Sequence, residues 1–328
     1  MDAGGEGYCS HVYIAENNNL KLVHKIAGYN SLAVYYGYVT KILGFTPLKH
    51  EGKVLGLSAS GNPNIVEKKL KEFIFFDKEN INFINKGGYY LNAYLKLKNE
   101  LNEFSREDIA AGIQSHTEKL MIEYINTLLE EFSKNKKTNV FLAGGIFANI
   151  KLNEKISNLE KVNSCYVFPN MGDGGLSAGC ALNVNYRQKK NSIKKKQSMS
   201  LGSNYNIFET DLLINSKHTV INHTDLFQFI ATKLEQKKIF GIFQGKMEYG
   251  PRALGNRSII CSPEDKSINN ILNDKLRRSD FMPFAPCVLN EDFNFFFESN
   301  MNPDDFEYMT FTCKTKKICE NLVPAIVH

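Results

Sequence analysis

Apolar positions along the chain change their period several times, and each change predicts an element. His11 to Ile14 and Leu20 to Ile26 read as a short hairpin, separated by Asn17-Asn18-Asn19. Leu32 to Leu43 reads as a helix. From Ser105, apolar residues recur at helical spacing at Ile109, Ile113, Leu120, Ile125, Leu128 and Leu129. Ser105 is the expected N-cap, with Asp108 three residues on. Val140-Phe141-Leu142-Ala143 and Cys165-Tyr166-Val167-Phe168 are short apolar runs that read as buried strands. The first enters Gly144-Gly145, then Asn149 and a helix. The second leads through Pro169 to Gly172-Asp173-Gly174-Gly175 and a small-residue helix, Leu176 to Leu182. Strand, glycine turn and helix in repetition predict an α/β unit with ligand sites at the strand ends.

A basic, nearly apolar-free run, Arg187 to Lys196, interrupts this pattern and reads as a solvated linker. It divides the chain into residues 1–186, a linker over 187–200, and a smaller α+β unit over 201–328. In that unit Asp225 to Gln236 reads as a helix, Ile239 to Phe243 as a buried strand, and Ser267 to Leu276 as a second helix.

Charge and cysteine content narrow the class. The net charge of +5 on 328 residues is modest and partly local to the linker. No aromatic residues interleave those lysines, so nucleic acid is not the expected partner. The 7 cysteines are scattered without a Cys-x-x-Cys pair, as in reduced cytosolic proteins. No apolar stretch reaches the length of a membrane span, and no basic-then-apolar leader opens the chain. A cytosolic location is expected.

The densest candidate chemistry lies in Gln244 to Ile260, directly after the second unit's strand. Arg252, Arg257 and Lys246 sit there among glycines and one proline. Glycine lets a backbone approach a ligand, and the arginine fork suits phosphate or carboxylate, so the loop reads as an oxyanion site. Arg277 and Arg278, in a second proline-bounded loop, are expected to converge on it. In the first unit, the Gly144-Gly145 pair could present N–H groups to a nucleotide phosphate, although a structural turn explains it equally well. Asp173 is either a metal or nucleotide ligand or the cap of the next helix. Asp2 reads from composition as part of a frayed terminus. Glu51-Gly52-Lys53 reads as a glycine-punctuated charged turn holding an ordinary ion pair. No His-x-x-x-His spacing is present.

The order of motifs resembles the O-carbamoyltransferases of nodulation-factor and antibiotic tailoring. Asp2-Ala3-Gly4-Gly5-Glu6 is similar to the family's Asp-Gly-x-Gly-Glu. Glu51 to Leu57, Asp108 to Gln114, Ala143 to Asn149, Pro169 to Gly179, Gly250 to Ser258 and Phe281 to Pro286 follow in family order. The resemblance implies a partial actin-like ATPase domain, close to the tRNA threonylcarbamoyl-adenosine transferases, followed by a YrdC-like domain. It implies carbamoyl phosphate and ATP as substrates, a carbamoyl-adenylate intermediate, and a small-molecule or sugar hydroxyl as acceptor. Asp2 and Asp173 would hold an iron-type divalent metal. Gly144, Gly145 and Asn149, with Lys53, would serve the nucleotide. Arg252 and Arg257, with Arg278 or Arg277, would bind carbamoyl phosphate.

The chain departs from that pattern in three places. Ala3 stands for a glycine, the family's His-x-x-x-His pair does not precede the first block, and the final arginine-containing stretch is not reached. A piece of a longer carbamoyltransferase, or a decayed copy of one, is the expectation. An inactive interaction subunit and a tRNA threonylcarbamoylation-related protein are the alternatives. No motif fixes the oligomeric state, a homodimer included.

Overall fold

The structure is a computed structural model and describes residues 1–17, 19–133, 136–189, 198–204, 224–278 and 283–327. Asn18 of the hairpin turn, residues 190–197 of the linker and residues 279–282 of the second arginine loop lie outside the described residues. The hairpin forms as β1 (Tyr8–Glu16) and β2 (Asn19–Ala27), antiparallel, with Glu16 opposite Asn19. Helix α1 (Leu32–Ile42) follows, its N-terminus closed by Ser31 Oγ, which accepts the Val34 N–H at 3.3 Å.

Residues 51–57 are not a charged turn but helix α2 (Glu51–Leu57). Its glycines weaken it, and the fully buried Val54 together with Glu51 in the first turn offset that cost. Asn62 caps α3 (Pro63–Phe73), with proline in the first turn. A second hairpin, β3 (Ile74–Asp77) with β4 (Asn82–Asn85), leads to α4 (Tyr90–Leu101).

The spine of the first half is α5 (Arg106–Phe132), 27 residues long. Ser105 Oγ accepts the Asp108 N–H at 3.1 Å, the cap that the spacing predicts. Ile109, Ile113, Leu120, Ile125 and Leu129 are buried as expected. Gln114, His116 and Glu118 are buried as well, so the helix is covered on more than one face. Helix α3 crosses it at Gly112, where a Cβ would lie 2.7 Å from Val66 Cβ.

Strands β5 (Thr138–Leu142) and β6 (Val162–Val167) pair in parallel, and α6 (Ile150–Ser157) connects them as the strand–turn–helix pattern predicts. These strands are not fully buried. Leu142, Cys165 and Val167 face the core, while Phe141 is 71% and Tyr166 42% exposed. Alternation turns every second side chain of a two-stranded ladder outward. Helix α7 (Leu176–Lys189) runs past the expected Leu182.

The second half holds α8 (Leu226–Glu235), the antiparallel pair β7 (Phe240–Phe243) and β8 (Arg257–Ile260), and α9 (Ile268–Lys275). Strand β7 is likewise only half-buried, with Phe243 at its exposed end. Short elements complete it: α10 (Phe293–Phe296), β9 (Phe297–Glu298), β10 (Lys314–Thr315) and α11 (Ile318–Leu322). The large core lies in the first half, yet Phe311 belongs to it and Met301 and Phe306 pack against it. Buried Asn153 of α6 makes the same connection in polar terms, donating to Phe147 O at 2.7 Å and Thr310 O at 2.8 Å. The architecture is mixed α/β.

Candidate functional site

Three loops meet at the carboxyl ends of β5, β6 and β7. The first turns from β5 into α6. Gly144 takes φ +114°, and a Cβ there would sit 1.9 Å from Met1 O. The chain's first residues are therefore packed on this turn rather than frayed. Met1 N donates to Ala143 O at 2.6 Å, and the Asp2 N–H donates to Cys9 O at 2.9 Å. The Asp2 carboxylate accepts the Ala3 N–H through Oδ1 and the Gly145 N–H through Oδ2, both at 2.7 Å. The Gly144 N–H goes to Met171 O at 2.6 Å. Both glycine N–H groups expected to cradle phosphate thus already have partners within the chain.

Asn149 is committed in the same way. Its Oδ1 caps α6 by accepting the Leu152 N–H at 3.1 Å. Its amide pairs reciprocally with Gln114, at 2.8 Å and 3.2 Å. Gln114 also accepts the Tyr36 hydroxyl at 2.9 Å and donates to Glu118 Oε1 at 2.7 Å, and Lys155 meets Glu118 at 2.5 Å. Burial, and then the nearby Glu51 and Glu118, push the Tyr36 hydroxyl far up, so it remains a donor. This buried network joins α1 and α5 to the turn and fixes its position.

The second loop follows β6. Asp173 opens a single 3-10 turn and is exposed, and its carbonyl rather than its carboxylate accepts the Leu176 N–H. Among the described residues no three His, Cys, Asp or Glu side chains are arranged so that they could hold a metal ion. Both oxygens of Asp2 accept backbone N–H groups, so these side chains alone do not make a divalent-metal site. Lys53 lies on α2 with its ammonium 5.5 Å from the Phe45 ring centre.

The third loop is the arginine loop between β7 and β8. Arg252 Nη2 donates to Ala148 O, on the β5–α6 turn, at 3.2 Å, while its Nε is buried without a partner. Burial lowers the affinity of this guanidinium for its proton. The Tyr249 hydroxyl donates to Gly174 O and lies 3.4 Å from Ser177 Oγ, and Gly250 runs beside Pro169 and Asn170. The loop of the second half is thereby seated on both loops of the first. Arg257 turns inward: Nη1 donates to Gln244 O and Asn256 O at 2.8 and 2.9 Å, and Nη2 to Gly245 O at 3.3 Å. Arg278 lies over the Phe284 ring at 5.1 Å, and Arg277 takes φ +52°. Among the described residues neither hydrogen-bonds to the 244–258 loop.

Tyr249, Glu248 and Gln114 hold the site together without any sequence signal that marks them as functional. Even so, Gln114 ends the family-like segment Asp108 to Gln114, and a lone acid among basic and glycine residues, Glu248, is a readable sign that something in the loop needs an acceptor.

This arrangement belongs to a known class. A family description, carbamoyltransferase N-terminus, matches residues 1–182, and its companion, carbamoyltransferase C-terminus, matches residues 231–328. The chain belongs to the carbamoyltransferase family. It is 31% identical over 344 residues to an uncharacterized protein of Methanocaldococcus jannaschii, covering 100% of this chain and 64% of that protein. Nodulation protein NolO of Bradyrhizobium diazoefficiens is 25% identical over 346 residues, covering 100% of this chain and 61% of its own length. Nodulation protein U of Azorhizobium caulinodans is 27% identical over 224 residues, 67% of this chain and 38% of its own. The chain thus spans less than two thirds of the length of these relatives.

Proposed function

We propose that the chain takes part in transferring a carbamoyl group from carbamoyl phosphate to the hydroxyl of a small molecule or sugar. The second half would act as a YrdC-like unit and the first as an actin-like one. The observation that carries this is the bond from Arg252 to Ala148 O. It supports a composite site in which an anion held by Arg252 lies against the turn from Gly144 to Asn149. The guanidinium groups of Arg252 and Arg257 would balance the phosphate charge in a desolvated setting. Carbamoyl phosphate would lose its phosphate to water and leave carbamate. A carbamate oxygen would displace diphosphate from the α-phosphorus of ATP to give a carbamoyl-adenylate. Attack of the acceptor hydroxyl on the carbamoyl carbon, with loss of the hydroxyl proton, would then release AMP. Any divalent metal would need further donors beside Asp2 and Asp173.

Calorimetric titration with carbamoyl phosphate, against inorganic phosphate, tests the site. Selective binding by the unaltered chain is expected, with a loss of about tenfold or more in Arg252→Ala. Equal affinity in that variant, or no binding by the folded chain, overturns the assignment.

A further inference from the structure

The arginine loop contains one acid, and carbamoyl transfer gives it no task. Glu248 is 8% exposed. One of its oxygens, Oε1, accepts the backbone N–H groups of Leu254 at 2.8 Å, Asn256 at 2.7 Å and Arg257 at 3.1 Å. Three N–H groups converging on one point form an anion-binding nest, and here the chain's own carboxylate fills it. The closure spans Tyr249 to Ala253, the segment that carries Arg252, and its third bond fixes the first residue of β8, Arg257. Asn256 Nδ2 secures the base of the loop on Lys246 O and Ser200 Oγ, at 2.6 and 2.7 Å. The sequence alone reads this loop as an oxyanion site, but the three backbone donors that converge in it, those of Leu254, Asn256 and Arg257, are taken before any ligand arrives.

We propose that Glu248 is a positioning residue, a built-in anion that shapes the arginine loop and occupies the converging N–H groups of Leu254, Asn256 and Arg257, so that a substrate phosphate meets the arginine side chains rather than this nest. The loop-shaping role stands on geometry alone, whereas the effect on phosphate rests on the function proposed above. A leucine-like filler would have to leave three N–H groups unpaired, so a carboxylate at this position is chemically specific.

The experiment follows amide hydrogen exchange over residues 253–257 and carbamoyl phosphate titration on the full chain. It compares the unaltered protein with Glu248→Gln and Glu248→Ala, with and without excess sodium formate. In Glu248→Ala, exchange at Leu254 and Asn256 is expected to speed up, and carbamoyl phosphate affinity to fall about tenfold. Formate, seated in the vacated nest, restores both. Glu248→Gln keeps one acceptor oxygen without its charge, so both readouts are expected between those of Glu248→Ala and those of the unaltered chain. Unchanged exchange in Glu248→Ala, or no response to formate, overturns the inference. Should Glu248→Ala not fold, Glu248→Asp withdraws the carboxylate by one methylene, and unchanged exchange there overturns it equally. If exchange behaves as expected while the unaltered chain binds no carbamoyl phosphate, the proposed function falls and the role of Glu248 stands. If Arg252→Ala loses binding while Glu248→Ala exchanges normally, the inference falls alone.

Discussion

Arg252 and Arg257 carry the same charge on one loop, yet they use their donors differently. Arg257 gives three hydrogen bonds to loop carbonyls and lies 3.6 Å from the Phe243 ring centre. Arg252 gives one, and retains a buried Nε without a partner. Arg252 therefore has more donor capacity left for an anion, which is why it carries the binding test. Glu248 has a measurable consequence of its own. Burial raises its carboxyl pKa, but the N–H groups of Leu254, Asn256 and Arg257 outweigh burial and hold it at about 2, against an ordinary 4.5. Stability from a depressed carboxyl is fully present above the ordinary value and is lost as pH falls through 4.5 toward about 2. Urea denaturation should show Glu248→Gln less stable by on the order of 2–3 kcal/mol near about pH 6, with the gap closing near about pH 2. A gap independent of pH would refute the coupling. The loop's basic content was legible in the sequence. The use of its acid was not, because Glu248's partners are backbone N–H groups, which no side-chain pattern marks.

Elements with caps and regular apolar spacing were legible. Ser105 and α5, Asn149 and α6, and Asp225 and α8 all begin where their capping residues stand. Helix α2 was missed because Gly52 and Gly56 imitate a turn, and only the burial of Val54 decides otherwise. The first hairpin and the strands β5, β6 and β7 were legible, but not the partial exposure of the last three, since a short apolar run reads the same whether one face is covered or both. Strands β3, β4 and β8 were not predicted. Helix–helix contact is invisible at this level too. Gly112 is a helix-interior glycine whose missing Cβ lets α3 approach, with Val66 Cβ only 2.7 Å from where a Cβ would be. Gly112→Ala gains about 1 kcal/mol of helix propensity but overpacks a stiff β-branched neighbour, at a cost of about 1–3 kcal/mol. A net loss is expected in thermal denaturation, and Val66→Ala added to it should recover part of the loss. A stabilised Gly112→Ala single variant would contradict this packing.

At the scale of the molecule, the composite site depends on contacts between positions far apart in sequence: 75 for Tyr249 with Gly174 and 104 for Arg252 with Ala148. Nothing local in either segment encodes the meeting, so the sequence identifies the loops without placing them together. Tyr249→Phe removes the hydroxyl and keeps the ring. Amide exchange over residues 172–177 should then rise severalfold while α5 keeps its protection, and unchanged exchange would show that the hydroxyl does not hold the Asp173 loop. Asn153 draws out the longest of these dependencies. Its buried amide gives one hydrogen to Phe147 and the other to Thr310, 157 positions later. A ribosome adding about 5–20 residues per second takes roughly 8–30 s to cover that distance. Until then the amide hydrogen meant for Thr310 and the apolar face that Met301, Phe306 and Phe311 cover both stand open to water, and that exposed apolar surface is what a chaperone has to recognise in the interval.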